Sequence, residues 1–139
     1  MGKKISDAMT SSPCAIEADK PIAYAAQMMR DENVGFAPIV EGDRIVGTLT
    51  DRDIAVKVVA EGKDPQTTIV RTIASKDLVT VDPDEDLDEA LKLMAQHQVR
   101  RLPVVEGGGR LVGVVAQADV AREAKPKQTG EVVEEISQP

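Results

Sequence analysis

Apolar residues recur at helical spacing in two stretches of the chain, 22–29 and 87–94. They occupy positions i, i+3, i+4 and i+7 in each: Ile22, Ala25, Ala26 and Met29, then Leu87, Ala90, Leu91 and Met94. Because these positions lie on one side of an α-helix, each stretch predicts a helix with a single buried stripe. We expect the second helix to begin after Asp82 as its cap, with Pro83 at the first helical position and Glu85 in the third.

Runs of β-branched residues predict strands after each helix. Two pairs of runs are joined by the turns EGD and EGGG, which favour hairpins: 37–40 with 44–49, and 102–105 with 110–115. A short apolar stretch precedes each helix, at 14–16 and at 78–81. Final helices are predicted at 51–60 and 117–124. Each half of the chain thus has the order helix, strand, turn, strand, helix.

The two halves are copies of one unit. Segments 37–55 and 102–121, aligned with one inserted residue, are identical at nine positions: Pro38/Pro103, Val40/Val105, Glu41/Glu106, Gly42/Gly107, Arg44/Arg110, Val46/Val112, Gly47/Gly113, Asp53/Asp119 and Ala55/Ala121. Each copy of roughly 60 residues is small for an independent hydrophobic core. We therefore expect a pseudo-twofold pair of the α/β (α+β) class, with the two sheets facing each other.

The repeat predicts how the chain is divided. Residues 1–61 form the first repeat, 62–69 a linker and 70–125 the second repeat. The polar stretch 126–139 has no strong period, so we expect a mobile tail with a short helix at 131–136.

Composition excludes several classes of function. The net charge of −7 and the near absence of aromatic residues argue against nucleic-acid binding. No apolar run approaches the roughly 18 residues that span a bilayer, and no secretory signal precedes the first repeat, so we expect a cytoplasmic protein without membrane contact. Cys14 and His97 are too few for a structural zinc site, and no catalytic set is visible. We predict no metal, no required cofactor and no enzymatic activity.

These segments resemble a stand-alone pair of cystathionine-β-synthase (CBS) domains, known as a Bateman module. The resemblance covers roughly residues 5–124 and rests on ISDAMT, on VGFAPIVEGDRIVGTLTDRDI and on VRRLPVVEGGGRLVGVVAQADV. The second opening segment, VRTIAS, departs from the pattern, with Thr72 and Ala74 where the family favours Asp and Met. The resemblance implies small, mostly antiparallel sheets, each with two packing helices. It also implies a homodimeric, non-catalytic sensor that binds adenosine-containing ligands in clefts between the repeats.

Thr50 and Asp53 stand at the turn between a predicted strand and a predicted helix. Their Thr-x-x-Asp spacing is close to a capping box, which explains both residues without a ligand. The same turn suits a ligand, because a hydroxyl there can donate to a phosphate and a carboxylate can accept from ribose hydroxyls. In the family, the matching residues have these binding roles. Both interpretations remain open at this point.

The second copy differs at this turn. It keeps Asp119 but has Ala116 in place of the hydroxyl. In the family, basic residues at the place of Arg100 and Arg101 can reach a phosphate bound at the other repeat's motif. We therefore predict two unequal sites: a stronger one comprising Thr50, Asp53 and the two arginines, and an Asp119 site that is weaker, specific for a less charged ligand, or empty. The alternative for the arginines is a solvated surface pair.

Adenine needs apolar walls, for which we predict four residues: Ile16, Val46, Thr80 and Val112. The alternative is that these residues are simply core. The main functional prediction is a regulatory module that binds AMP, ADP, ATP or a relative and signals to an unidentified protein target. The alternative is a protein-interaction or homodimerisation module with vestigial ligand pockets.

Overall fold

The computed structural model describes residues 3–123, so the predicted tail at 126–139 with its helix at 131–136 lies outside the described residues. The strands are β1 Thr10–Ser11, β2 Ile16–Glu17, β3 Phe36–Glu41, β4 Arg44–Thr50, β5 Arg101–Glu106 and β6 Arg110–Ala116. The helices are α1 Ile22–Glu32, α2 Asp51–Ile54, α3 Val70–Ile73, α4 Leu87–His97 and α5 Gln117–Glu123. A 3₁₀ turn spans Ile5–Asp7, and α2 continues as a π-helix over Ala55–Val59. None of the helices in this part of the chain combines the length and apolar character needed to cross a membrane.

The described chain forms two compact units, one of residues 13–78 and one of residues 3–12 with 79–123. In the first unit β3 lies between β2 and β4, parallel to β2 and antiparallel to β4. In the second unit β6 lies between β1 and β5 and is antiparallel to both. Each unit is a small, mostly antiparallel sheet packed with helices, which is the fold class expected from the repeat together with the family resemblance.

Each unit has its own aliphatic core, to which one long helix contributes a buried stripe. Three residues of α1 are buried: Ile22, Ala25 and Met29. Four residues of α4 are buried: Leu87, Ala90, Leu91 and Met94. The predicted stripes are therefore confirmed except at Ala26, which is exposed. Strand residues such as Ile39 and Leu49 complete the first core, and Leu102 and Val115 complete the second.

The opening segment of each repeat packs in the unit formed mainly by the other repeat. Three backbone hydrogen bonds of 2.9 Å join residues 3–6 to residues 83–87: Ile5 N–H to Glu85 O, Ser6 N–H to Pro83 O, and Leu87 N–H to Lys3 O. The equivalent three bonds measure 2.8, 3.0 and 2.8 Å: Val70 N–H to Lys20 O, Arg71 N–H to Ala18 O, and Ile22 N–H to Thr68 O. Each compact unit therefore combines residues of both sequence repeats. The predicted repeat boundaries describe the sequence alone.

This packing of the opening segments explains why Gly47 and Gly113 are identical in the two copies. A Cβ atom on Gly47 would lie 2.8 Å from the carbonyl oxygen of Ser75, and one on Gly113 would lie 2.8 Å from that of Thr10. Real Cβ contacts are almost never so short, and a backbone oxygen cannot turn away as a flexible side chain can. Each glycine therefore lets the opening segment of the other repeat run directly against the sheet.

The predicted start of the second helix is wrong. The helix α4 begins at Leu87 after Asp86, whereas residues 82–85 form a separate turn in which Glu85 Oε1 accepts a 2.8 Å bond from Asp82 N–H. The capping pattern of Asp82 and Glu85 thus forms its hydrogen bond, but within a separate turn and not at the start of the helix. In a helix starting at Pro83, Leu87 N–H would donate to Pro83 O, but it donates to Lys3 O instead, and Pro83 O accepts from Ser6 N–H.

The other predicted elements differ from the structure in detail. Residues 78–81 do not form a strand, and only Val81 makes an isolated parallel bridge, to Val104. The helix predicted at 51–60 exists, but its second half has the wider π-type hydrogen bonding. His97 is the last residue of α4 and is exposed.

Candidate functional site

Thr50 and Asp53 form both bonds of a capping box at the turn from β4 into α2. The Thr50 hydroxyl oxygen accepts a 3.1 Å bond from Asp53 N–H, and Asp53 Oδ2 accepts a 2.9 Å bond from Thr50 N–H. The cap predicted from the sequence is therefore confirmed. Because the hydroxyl acts here as an acceptor, its own hydrogen remains available to donate to another group.

Both oxygens of the Asp53 carboxylate are held in place. Oδ2 binds Thr50 N–H, and Oδ1 lies 3.3 Å from Lys57 Nζ. The Asp53 side chain keeps 20 % of its surface exposed. Each carboxylate oxygen has two lone pairs, so this fixed and partly exposed group can still accept hydrogen bonds from a ligand.

Gly35 lies beside this turn and is constrained by it. Its carbonyl accepts a 3.0 Å bond from Asp51 N–H. A Cβ atom at residue 35 would lie 2.7 Å from Asp51 Oδ2, so a side chain there would displace that carboxylate. The region around Thr50 thus carries two carboxylates, Asp51 exposed and Asp53 half-buried.

The second copy has only half of the capping box. Ala116 N–H donates to Asp119 Oδ2 at 3.4 Å, which is longer than the matching bond in the first copy. Residue 116 offers no hydroxyl to accept the return bond. The other oxygen of Asp119 pairs with Arg122 on the same helix. The two turns therefore differ in their hydrogen bonding, and their predicted inequality in ligand binding remains a prediction.

Arg100 and Arg101 lie beside the turn of their own unit. Arg100 O accepts a 2.7 Å bond from Gln117 N–H, and Arg101 pairs with Ala116 between β5 and β6. Both residues are exposed, and neither side chain has a hydrogen bond or ion pair to any other residue within 3–123. Their predicted service to a ligand at Thr50 and Asp53 remains a prediction.

The four predicted adenine walls differ in exposure. Ile16 has no exposed surface and belongs to the core of the 13–78 unit. Val46 and Val112 are half-buried and pack against the cores of their own units. Thr80 is half-buried and lies outside the strands. The structure thus supports a core role for three of them, and their contact with a ligand remains a prediction.

Two residues near these turns escaped the sequence analysis. Lys57 pairs with Asp53 at i,i+4 spacing, a signal that the sequence does contain. Gln117 follows Ala116, and its side-chain nitrogen is buried with no hydrogen-bond partner among the described residues. No sequence pattern distinguishes Gln117, because its burial depends on packing.

Cys14 is exposed, and its thiol donates a long 3.6 Å hydrogen bond to Glu32 Oε1. Partial burial, together with this bond and the charge of Glu32, raises the pKa of the Cys14 thiol above its ordinary value. A raised pKa leaves less of the reactive thiolate at neutral pH. Within residues 3–123 no three His, Cys, Asp or Glu side chains group closely enough to hold a metal ion.

The comparisons with known proteins agree with one another. The family model described as CBS domain matches the chain twice, at residues 5–60 and 70–125. The CBS domain-containing protein YhcV of Bacillus subtilis is 44 % identical over 117 residues, which are 84 % of this chain and 82 % of YhcV.

Solved structures give the same result. That of Hypoxic Response Protein I with two coordinated zinc ions is 38 % identical, with a TM-score of 0.80 over 88 % of this chain and 99 % of that one. The CBS domain pair of protein MJ0100, solved with 5′-methylthioadenosine and S-adenosyl-L-methionine, is 27 % identical, with a TM-score of 0.78 over 88 % and 95 %. Since the family model covers both repeats, the chain belongs to the CBS-domain family and carries two such domains.

Proposed function

We propose that this protein is a regulatory module that binds an adenosine-containing ligand, such as AMP, ADP or ATP, at the turn formed by Thr50 and Asp53, and does not turn the ligand over. One observation carries the proposal. The capping box orients a hydroxyl with a free hydrogen and a partly exposed carboxylate on the same turn.

These two groups match the two ends of a nucleoside phosphate. The cis-hydroxyls of a ribose donate hydrogen bonds, and the Asp53 carboxylate accepts them. Phosphate oxygens only accept, and the hydrogen of the Thr50 hydroxyl is free to donate to them. Since the turn is already fixed before a ligand arrives, little conformational entropy is lost when the ligand binds.

Relatives support the ligand class and the regulatory role. CBS-domain pairs are regulatory modules, and stand-alone members of the family are generally non-catalytic. The pair from protein MJ0100 was solved with 5′-methylthioadenosine and S-adenosyl-L-methionine, both adenosine derivatives. We extend that chemistry to this chain, whose first repeat carries the hydroxyl and carboxylate needed for it.

Positive charge and sequence asymmetry refine the proposal. Arg100 and Arg101 each carry an exposed guanidinium group, a kind of donor that suits phosphate oxygens. The Asp119 turn lacks a hydroxyl, so it binds a phosphorylated ligand more weakly than the Thr50 turn. The loss of one charge-assisted hydrogen bond costs on the order of 1.5–3 kcal/mol, which is about ten- to a hundredfold in affinity.

A thermal-shift screen of the wild-type protein against AMP, ADP, ATP and S-adenosylmethionine tests this function. A ligand at a hundred times its dissociation constant stabilises the folded state by about 2.7 kcal/mol, which raises the melting temperature by several degrees. We expect a saturable rise with at least one of them and no loss of that ligand on incubation. A protein that none of the four stabilises would contradict the proposal, and turnover of the ligand would indicate an enzyme.

The second candidate is a module for homodimerisation or protein interaction. It is favoured by the incomplete Asp119 turn and by the exposed apolar side chains of Val56 and Val59 after α2. The hexameric CBS-CP12 protein, 28 % identical to this chain, shows that a relative assembles. Light scattering during size-exclusion chromatography, with and without AMP, separates the two candidate functions. The second is favoured if the protein is a dimer whose mass AMP does not change and if AMP does not stabilise the protein.

A further inference from the structure

Lys57 contacts two parts of the 13–78 unit at once. Its ammonium nitrogen lies 3.3 Å from Asp53 Oδ1 and 3.5 Å from the backbone carbonyl oxygen of Ile73. Asp53 belongs to the candidate ligand site, and Ile73 is the last residue of α3 in the opening segment of the second repeat. One cation therefore bridges the site and that segment.

Within residues 3–123, each contact gives a partner to an oxygen atom that has no other, the carbonyl oxygen of Ile73 and Oδ1 of Asp53. The helix α3 ends at Ile73, because Ala74 has ψ of 144° and leaves the helix. The carbonyl oxygen of Ile73 therefore accepts no hydrogen bond within the helix, and the Lys57 ammonium donates one to it. At the other end, Thr50 N–H holds Asp53 Oδ2 and Lys57 holds Oδ1, so together they orient the carboxylate.

At the position equivalent to Lys57, the second copy makes neither of these contacts among the described residues. Its aspartate, Asp119, pairs with Arg122, a side chain that is 73 % exposed. The place of Lys57 is taken by Glu123, which pairs with Lys3 of the other opening segment at 3.3 Å. Within residues 3–123, only the first copy uses one cation for both contacts.

We propose that Lys57 is a positioning residue that orients the Asp53 carboxylate and couples it to the C-terminal end of α3. A ligand on Asp53 then changes the stability of residues 70–76, because the ammonium that orients the carboxylate also holds Ile73. This inference rests on the proposed function of Asp53. Residues 70–76 are then the segment through which ligand binding in the first repeat is transmitted.

The ligand-free protein tests the coupling by hydrogen–deuterium exchange of a peptide covering residues 70–76. The variants are Lys57→Met, Asp53→Asn, their double mutant, and Arg122→Met as the matched control in the second copy. We expect each of the first two changes to accelerate exchange about two- to fivefold, as for a partly exposed ion pair, and the control to leave it unchanged. The double mutant should exchange no faster than Lys57→Met alone. Additive effects, or no effect of Asp53→Asn, would overturn the coupling.

Calorimetric titration with AMP then tests the positioning role. We expect Lys57→Met to weaken AMP binding about two- to fivefold, Lys57→Arg to restore it, and Arg122→Met to leave it unchanged. Wild-type AMP affinity in Lys57→Met would overturn the inference and leave the proposed function intact. If AMP does not bind the wild type, the proposed function fails for AMP, while the exchange cycle in the ligand-free protein still decides the coupling.

Discussion

At the scale of single residues, Thr50 and Asp53 serve as a helix cap and as candidate ligand contacts with the same atoms. The Thr-x-x-Asp spacing was sufficient to predict both hydrogen bonds, because a capping box depends only on residues within one turn. The role of Lys57 was harder to predict. Its pairing with Asp53 follows from i,i+4 spacing, whereas its contact with Ile73 joins residues 16 apart in the sequence.

Replacing Thr50 by valine tests both roles, because the helix cap affects stability whereas the phosphate contact affects the binding of AMP but not of adenosine. The side chain keeps its shape but loses the hydroxyl, so we expect the free energy of unfolding to fall by about 1 kcal/mol, as for other lost N-caps. AMP binding should weaken about tenfold or more, whereas binding of adenosine, which has no phosphate, should change little. Urea denaturation and calorimetry measure the two effects. Thr48→Val, two residues earlier on the same strand, is the control, and equal losses for AMP and adenosine would contradict a phosphate contact at Thr50.

At the scale of elements, the opening segment of the first repeat binds the residues just before α4, where that helix was predicted to begin. The sequence predicted the stripes of α1 and α4 because helical periodicity is a local property. It misplaced the start of α4 because Asp82 and Glu85 form a capping turn, while Leu87 N–H donates to the distant Lys3 O and not to Pro83 O as a helix would need. Local patterns contain no information on such long-range pairing.

Truncation of one opening-segment residue tests this packing. Ile5 has no exposed surface and lies in the core of the unit that contains α4. We expect Ile5→Ala to lower the free energy of unfolding by about 2–5 kcal/mol, because it leaves a cavity among the second repeat's residues. Leu78→Ala, at an aliphatic side chain that is 37 % exposed, is the control and should cost less than about 1 kcal/mol. Equal values from urea denaturation would show that the first segment is not part of that core.

At the scale of the whole molecule, two copies of one fold have diverged at the same turn. The repeat made the fold class predictable from nine identities and two helical stripes. The packing of each opening segment in the unit of the other repeat was not predictable from the sequence. Its one sign there is the glycine at residues 47 and 113, where the opening segment leaves no room for a Cβ atom. With a net charge of −7, the protein repels anions at long range, so a phosphorylated ligand depends on a few local donors. At the turn itself the first copy has one such donor, the Thr50 hydroxyl, where the second copy has Ala116.

The most direct test of the account is a calorimetric titration of AMP into the wild type, Asp53→Asn and the matched Asp119→Asn. Asparagine keeps an oxygen that can accept from the backbone N–H but lacks the charge that favours ribose hydroxyls. We expect Asp53→Asn to weaken AMP binding about ten- to a hundredfold and Asp119→Asn to leave the stronger site unchanged. If both variants bind AMP as the wild type does, Thr50 and Asp53 are a helix cap and the central claim is wrong.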